Sequence, residues 1–205
     1  MTTSSVVYSS EDPNILISVP TTNEKGIVLS FDDGPGRVLP EILDVLKEEK
    51  VPAAFFWQSR LLYAERPWKR VLAEGHEIGT HSSKHLNLAA LSYEEQYRDL
   101  FNSKVNIEKI TGKTVKYFRP PFGQYNADTI KAAAKLDLTP VMWRIASMDW
   151  ELEDQPDQII LNVIQNLEDG AIILMHELRQ TAKILHPLIK EIKNKGYQFK
   201  PLSPQ

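Results

Sequence analysis

One stretch decides the fold of this chain: Ile27-Val28-Leu29-Ser30-Phe31-Asp32-Asp33-Gly34-Pro35-Gly36. Its apolar, β-prone start predicts a short buried strand, and Gly-Pro-Gly predicts a turn that ends it. Two carboxylates are therefore expected at the carboxyl end of a core strand, where α/β folds place their chemistry. Because successive strand side chains point in opposite directions, we expect Asp32 and Asp33 to face different surroundings and to have different roles.

Predicted strands and helices alternate along the rest of the chain. Strands are predicted at residues 27–33, 53–57, 77–80, 115–118, 138–144, 171–175 and 197–200, and helices near 39–50, 67–74, 93–110, 127–136, 159–167 and 181–195. This alternation argues for parallel βαβ units. Because the chain has neither Gly-x-Gly-x-x-Gly nor a phosphate loop, we predict a distorted (β/α) barrel of seven or eight strands rather than a nucleotide-binding open sheet.

Composition indicates an ordinary globular protein. The 205 residues are 42% hydrophobic and 25% charged, and a net charge of -3 favours binding to neither nucleic acid nor an anionic membrane. The absence of cysteine excludes disulfides and thiolate metal sites, and no apolar run is long enough for a membrane span. We predict a surface arm at residues 1–25, with one edge strand at 15–19, and a single domain at 26–205.

Polar side chains follow several predicted strands, at the point where each strand ends. In a barrel these positions converge on one rim, whereas independent surface residues would not be expected to cluster in this way. The residues are Asp32, Asp33, His81, His85, Arg119, Asp149 and His176.

Two of these histidines have the spacing of a metal site. His81 and His85 are four residues apart, about one helical turn, so both imidazoles can aim at one point. Two histidines and one carboxylate, here Asp33, are a familiar catalytic zinc set. No glutamate lies between the histidines to act as a base, but Asp32 is adjacent to Asp33. A structural or surface pair is the alternative interpretation of His-x-x-x-His.

The remaining candidates have possible partners among themselves. Asp149 could hold the tautomer of His176 and raise its pKa so that the ring carries a proton, although an isolated histidine here would be a core residue. Two prolines after Arg119 fix its backbone direction, so its guanidinium could orient Asp32 or form a structural salt bridge. The other two histidines are interpreted as structural: His76 and His186.

In this order, the motifs resemble those of the polysaccharide deacetylases of carbohydrate esterase family 4, the NodB-homology domain. The resemblance extends from Ser30 to His176, and five motifs in sequence are far more specific than any one of them. The motifs are similar to Ser30–Pro35, His81–His85, Arg119–Gly123, Asp149-Trp150 and Leu174–His176.

The resemblance implies that residues 26–205 form a metal-dependent deacetylase domain. Asp32 would be the general base, and Asp33, His81 and His85 would hold one divalent metal. Zinc is the first choice, and such carboxylate-imidazole sites also accept cobalt, nickel or manganese.

Further roles are implied by the same comparison. Arg119 would tether the base, and Asp149 would tune His176 as the general acid. The backbone N–H of Phe122 would help to bind the oxyanion. The acetyl methyl would lie against the side chains of Trp150 and Leu174.

The chain departs from the family pattern at two positions. Ala146 stands where the fourth motif usually has a further Asp, which would alter the rim of the site and hence the choice of substrate. Phe122 replaces a common Tyr, a mild change because the implied role belongs to the backbone.

The expected substrate is a polysaccharide containing N-acetylglucosamine, either chitooligosaccharide or peptidoglycan, with acetylated xylan also possible. The N-terminus lacks the features of a signal peptide, so we expect a cytoplasmic protein, or an extracytoplasmic one at the cell wall if an export signal was trimmed. The sequence carries no signal for oligomeric state. Aromatics available to stack on sugars are Trp57, Tyr63, Trp68, Tyr125 and Trp143.

Two alternatives stay open. A cytoplasmic hydrolase of small amides or imides on the same barrel would explain the missing signal peptide. A non-catalytic carbohydrate-binding relic is less favoured, because every predicted catalytic position is filled.

Overall fold

The computed structural model of the protein describes residues 5–21 and 24–203, so the arm predicted at 1–25 lies partly outside the described residues. The strands are β1 (Gly26–Gly34), β2 (Ala53–Trp57), β3 (Glu77–Thr80), β4 (Tyr117–Phe118), β5 (Thr139–Pro140), β6 (Ile145–Ala146), β7 (Ile172–His176) and β8 (Gln198–Phe199). The helices are α1 (Leu39–Glu49), α2 (Trp68–Ala73), α3 (Tyr93–Thr111), α4 (Ala127–Lys135), α5 (Pro156–Ile164) and α6 (Arg179–Asn194). Every predicted helix is found within a few residues of its expected bounds.

The strands form one parallel sheet that curls. Its order is β5-β4-β3-β2-β1-β7-β6, and β8 pairs with the start of β1. The edge strands β5 and β6 are separated in sequence only by residues 141–144. Such a link spans at most about 18 Å, so the two edges must lie close together. The predicted distorted (β/α) barrel is confirmed as a curled seven-stranded sheet flanked by helices.

Part of the N-terminal segment lies between the two edges of the curled sheet and pairs with residues on both sides. Leu16 pairs with Val141 beyond β5, and Ser18 pairs with Ala171 before β7. Each pairing is an isolated bridge, so the edge strand predicted at 15–19 does not form as a continuous strand. The segment instead ties the barrel together across its gap.

The single strand predicted at 138–144 is wrong, because the chain forms β5 and β6 with an irregular link between them. A buried arginine accounts for the interruption. The guanidinium of Arg119 donates hydrogen bonds to the carbonyl oxygens of Val141 (3.1 Å) and Met142 (2.8 Å). These carbonyls are therefore held by a side chain at the point where an uninterrupted strand was expected.

Burial of β1 explains why its sequence is continuously apolar. Residues 26–32 are all buried, as expected for a parallel strand covered on both faces. Helix bounds follow local signals: Ser92 and Glu95 form the predicted capping box of α3, and Gly112 ends that helix with a φ of 68°. In the part of the chain that the structure describes, no helix combines the length and hydropathy needed to cross a membrane.

Candidate active site

The carboxyl ends of β1, β3 and β7 meet at a cavity of about 600 Å³. Arg119 and Asp149 are fully buried and hydrogen-bonded to residues that line it. The structure thus brings together all the candidate residues at strand ends. The predicted site residues in the lining are Asp32, Asp33, His81, His85, Phe122, Trp150, Leu174 and His176.

Three of these side chains form a cluster suited to a metal ion. Asp33, His81 and His85 each offer one ligand atom, and the three atoms lie within 4.8 Å of one another. The Nδ1 atom of His81 lies 2.8 Å from the carbonyl oxygen of Arg119, so this nitrogen carries the proton. The Nε2 lone pair is then free on the side facing Asp33, 3.8 Å away. Oriented imidazoles and a carboxylate are the donor set that suits a divalent metal.

Charge in the cluster favours the metal-binding forms of the side chains. Burial lowers the pKa of His81 and so favours its neutral imidazole. Burial alone would raise the pKa of Asp33, but His81, His176 and His85 outweigh it and lower that pKa. A neutral imidazole and an ionised carboxylate are the forms that ligate a metal.

The convergence of the two histidines has a different origin from the helical turn expected from their spacing. Ser82 and His85 have positive φ angles of 66° and 57°, so this segment is a tight irregular turn. The Ser82 hydroxyl accepts a hydrogen bond from the His85 N–H at 2.9 Å, and the Ser103 hydroxyl donates to the Ser82 carbonyl. The expectation of a helical turn is therefore wrong.

The two adjacent carboxylates face different surroundings, as the strand geometry predicted. The Asp32 side chain is 4% exposed, whereas the Asp33 side chain is 39% exposed. Asp33 has a φ of 67°, and the pairing of β1 with β2 shifts between Asp32 and Gly34. This turn directs the second carboxylate toward the histidine cluster, and Asp is among the residues that tolerate such a φ.

Arg119 fixes the buried carboxylate. Its Nη1 donates to Asp32 Oδ1 at 2.8 Å and to Ser30 Oγ at 2.9 Å. Its other donors are bound to the carbonyls of residues 141 and 142 described above. Burial lowers the pKa of Arg119, but guanidinium keeps its proton in proteins. Asp32 is thus held by a permanent positive charge.

A second carboxylate holds the histidine at the end of β7. Asp149 Oδ1 lies 2.8 Å from His176 Nδ1, and Asp149 Oδ2 accepts from the His176 N–H at 2.7 Å. The Thr181 hydroxyl also donates to Asp149. Burial opposes the charged imidazole, but Asp149, together with the charges of Asp32 and Asp33, outweighs burial and raises the pKa of His176. The ring of Trp150 packs edge-on against this imidazole.

The sequence did not single out Glu177, which fixes the loop after β1. Its carboxylate is buried and accepts hydrogen bonds from the Gly36 N–H (2.5 Å) and the Trp57 indole N–H (2.8 Å). Its own N–H donates to the Asp32 carbonyl at 3.1 Å. Burial raises the pKa of Glu177 to about 7. A Cβ on Gly34 would lie 1.8 Å from this carboxylate and 2.6 Å from the Trp57 indole nitrogen, so a larger residue there would displace this hydrogen-bonded pair. The available signal was an acidic residue directly after an apolar strand.

The two departures from the family pattern both lie at the cavity. Ala146 is buried and lines it without adding a charge. Phe122 is 62% exposed, and its ring lies edge-on against that of His85, with the ring centroids 4.5 Å apart. The Phe122 backbone has a φ of 60° in a short 3-10 turn, Pro121–Gly123.

Comparison with known proteins identifies the family. A family profile described as polysaccharide deacetylase matches residues 20–141, which is more than half of the chain. The chain therefore belongs to the polysaccharide deacetylase family, carbohydrate esterase family 4, and the resemblance seen in its motifs is confirmed.

Several curated relatives are named as peptidoglycan deacetylases. The chain is 35% identical over 184 residues to the peptidoglycan-N-acetylmuramic acid deacetylase PdaC of Bacillus subtilis (strain 168), covering 88% of this chain but only 38% of PdaC. It is 34% identical over 190 residues to a peptidoglycan-N-acetylglucosamine deacetylase of Bacillus cereus (strain ATCC 14579), covering 88% of each chain.

Solved structures include both active and inactive members. PdaC superposes with a TM-score of 0.80 at 32% identity, covering 88% of this chain and 89% of that chain. BA3943, a CE4 family pseudoenzyme from Bacillus anthracis, gives 0.84 at 28% identity, covering 93% of this chain and 68% of that chain. The fold is therefore shared by proteins with and without turnover.

Proposed function

We propose that this protein is a metal-dependent deacetylase that removes the acetyl group from N-acetylated sugars of a cell-wall polysaccharide, giving acetate and a free amino sugar. The observation that carries the proposal is the cavity that holds a metal-ligand cluster, a tethered carboxylate and a carboxylate-bound histidine together. The peptidoglycan deacetylases among the relatives support the substrate class.

Asp33, His81 and His85 would hold the metal, with zinc as the first choice. When bound, a divalent metal supplies a Lewis acid that polarises the acetyl carbonyl and lowers the pKa of water. The hydrogen bond from His81 Nδ1–H to the Arg119 carbonyl keeps that ring in the ligating orientation.

Asp32 is the proposed general base. Its Oδ1 is bound to Arg119, while Oδ2 lies 3.7 Å from His81 Nε2 and so is directed toward the metal cluster. From this position the carboxylate would accept a proton from the attacking water. The backbone N–H of Phe122, at the rim of the same cavity, would donate a hydrogen bond to the oxyanion that develops.

His176 is the proposed general acid. An amine leaves poorly unless it is protonated, and the raised pKa of His176 keeps a proton on the imidazole for the leaving nitrogen. Trp150 and Leu174 line the cavity beside this ring and would bound the pocket for the acetyl methyl.

The proposal is tested by measuring acetate release from N-acetylglucosamine oligomers and from peptidoglycan, using metal-stripped protein with and without added zinc. We expect release that depends on zinc. His176→Ala should lose turnover while keeping its metal, and His81→Ala should lose metal and turnover together. If wild-type protein with bound metal released no acetate from either substrate, the proposal would be wrong.

The same samples separate the two alternatives. Hydrolysis of cytoplasmic ureides or imides by the metal-loaded protein would support the hypothesis of a small-amide hydrolase. Oligosaccharide binding without any acetate release would support a carbohydrate-binding relic, and BA3943 shows that this family includes a pseudoenzyme. A cell-wall substrate would place the protein outside the cytoplasm, which cell fractionation can check.

A further inference from the structure

One wall of the cavity comes from outside the five motifs. Ser5, Val7 and Tyr8 line it, although they belong to the segment expected to be a surface arm. Val7 forms an antiparallel bridge with Ile145 of β6. The backbone of the segment is anchored on both sides of this bridge, since the Tyr8 N–H donates to the Arg144 carbonyl at 3.0 Å and the Ala146 N–H donates to the Val6 carbonyl at 2.7 Å.

The ring of Tyr8 lies against Trp143, which itself packs on the Pro121–Gly123 turn. The Tyr8 and Trp143 ring centroids are 5.6 Å apart, with the planes tilted by 44°. A Cβ on Gly123 would lie 2.7 Å from the Trp143 ring, so that ring packs directly on the turn that carries Phe122. Both aromatic rings line the cavity, whereas Trp57, another aromatic considered from the sequence, is fully buried.

This wall is uncharged and amphipathic. Val7 is 37% exposed, and the neighbouring Ala146 presents only a methyl group where the family pattern has an acid. Burial, together with Tyr125, raises the pKa of Tyr8 to about 12, so its hydroxyl stays neutral and able to donate. Aromatic faces with a polar edge suit a pyranose ring, which has apolar C–H faces and a rim of hydroxyls.

We propose that Tyr8, together with Trp143, forms a subsite for a pyranose ring of the substrate. The N-terminal segment then favours oligosaccharides over small acetyl compounds. This inference rests on the proposed function, because it names the part of the cavity that would recognise the sugar chain.

The experiment compares Tyr8→Ala and Tyr8→Phe with wild-type protein, all loaded with zinc. Binding of an N-acetylglucosamine oligomer is measured by calorimetry, and kcat/KM is measured for that oligomer and for 4-nitrophenyl acetate. We expect Tyr8→Ala to weaken oligomer binding about tenfold, the loss of one stacked contact. Its kcat/KM should fall more for the oligomer than for the aryl ester. Tyr8→Phe, which keeps the ring face but removes the hydroxyl, should have an oligomer affinity between those of wild type and Tyr8→Ala.

Tyr97→Ala is the matched control, because Tyr97 stacks on Phe101 on α3, away from the cavity lining. It should bind and turn over the oligomer as wild type does. Equal oligomer affinity for Tyr8→Ala and wild type would overturn the subsite, even if acetate release continued. Tyr8-dependent binding without acetate release would retain the subsite and refute the proposed function. A wild type that neither binds nor deacetylates the oligomer would refute both.

Discussion

Two pairs, each of one carboxylate and one basic side chain, flank the cavity, and their distances are alike. Asp32 lies 2.8 Å from Arg119, and Asp149 lies 2.8 Å from His176. Both carboxylates are buried. The cations differ, because the guanidinium is fully enclosed and keeps its proton, whereas the imidazole reaches the cavity and can release one.

The difference shows how one kind of contact can serve two purposes. Beside a permanent cation, a carboxylate is held still and can act only by accepting a proton on its free oxygen. Beside a titratable ring, a carboxylate raises the pKa of that ring and makes it a proton donor. The two pairs would thus form the base and acid sides of the proposed reaction.

The largest effect is expected where the base is removed. Asp32→Asn keeps an oxygen for Arg119 but removes the proton acceptor, so kcat should fall about a thousandfold. Metal content should stay at the wild-type level because Asp32 is not among the clustered ligands. Acetate release and metal analysis on the same samples check this. A parallel loss of metal would show that Asp32 is a ligand.

Removing the permanent cation should mainly affect stability. Arg119→Met leaves the Asp32 carboxylate buried without a partner, and we expect the free energy of unfolding to fall by about 3–5 kcal/mol. Urea denaturation measures the change. Lys193→Met, which breaks the partly exposed pair with Glu49, is the control and should cost no more than about 1 kcal/mol. Similar losses of unfolding free energy in the two variants would show that the buried pair matters no more for stability than the partly exposed one.

Removing the second carboxylate should change the pH dependence of turnover. In wild type, Asp149 raises the pKa of His176, so activity that needs the imidazolium is lost only as the pH rises past that raised value. In Asp149→Asn, only Asp32 and Asp33 still oppose the effect of burial, so the pKa of His176 falls. The alkaline limb of the kcat profile should therefore move to lower pH. If the alkaline limb did not move, a group other than His176 would be responsible for it.

A buried histidine that makes no hydrogen bond to a carboxylate of the described residues sharpens the contrast, although Glu74 lies near enough to oppose part of the effect of its burial. Burial lowers the pKa of His76 from 6.5 to about 4, while its Nδ1 accepts from the Ala53 N–H. As the pH falls, the unfolded chain therefore binds a proton on His76 before the folded protein does. The contribution of the neutral His76 to the free energy of unfolding is complete above pH 6.5 and is lost as the pH falls toward 4. The loss should reach about 3 kcal/mol. His76→Asn should lack this loss. The free energy of unfolding, measured by urea denaturation, is plotted against pH for both proteins. If the two curves ran parallel, His76 would not be the cause of the loss.

Local sequence was enough to predict most elements near β1. The strands β1, β2 and β7 are continuous apolar runs between turn signals, and α3 carries its own capping box and terminal glycine. The strand expected at 138–144 failed because Arg119, distant in sequence, binds carbonyls in its middle. The secondary-structure propensity of residues 138–144 does not depend on this distant arginine and so could not predict the contact.

The site divides in the same way. Residues placed at strand ends could be predicted to meet, because the topology of a parallel barrel brings strand ends together. The manner in which His85 reaches His81 could not, since it depends on two positive φ angles in an irregular turn. Glu177 and Tyr8 were missed because their contacts join segments far apart in sequence.

The bridges of the N-terminal segment have a consequence for the order of folding. Leu16 and Ser18 pair with residues well over a hundred positions later, and contacts of such separation close long loops and form late. This segment leaves the ribosome early, yet its partner strands emerge only with the last third of the chain. A nascent chain therefore cannot present a finished cavity until nearly the whole domain has been synthesised.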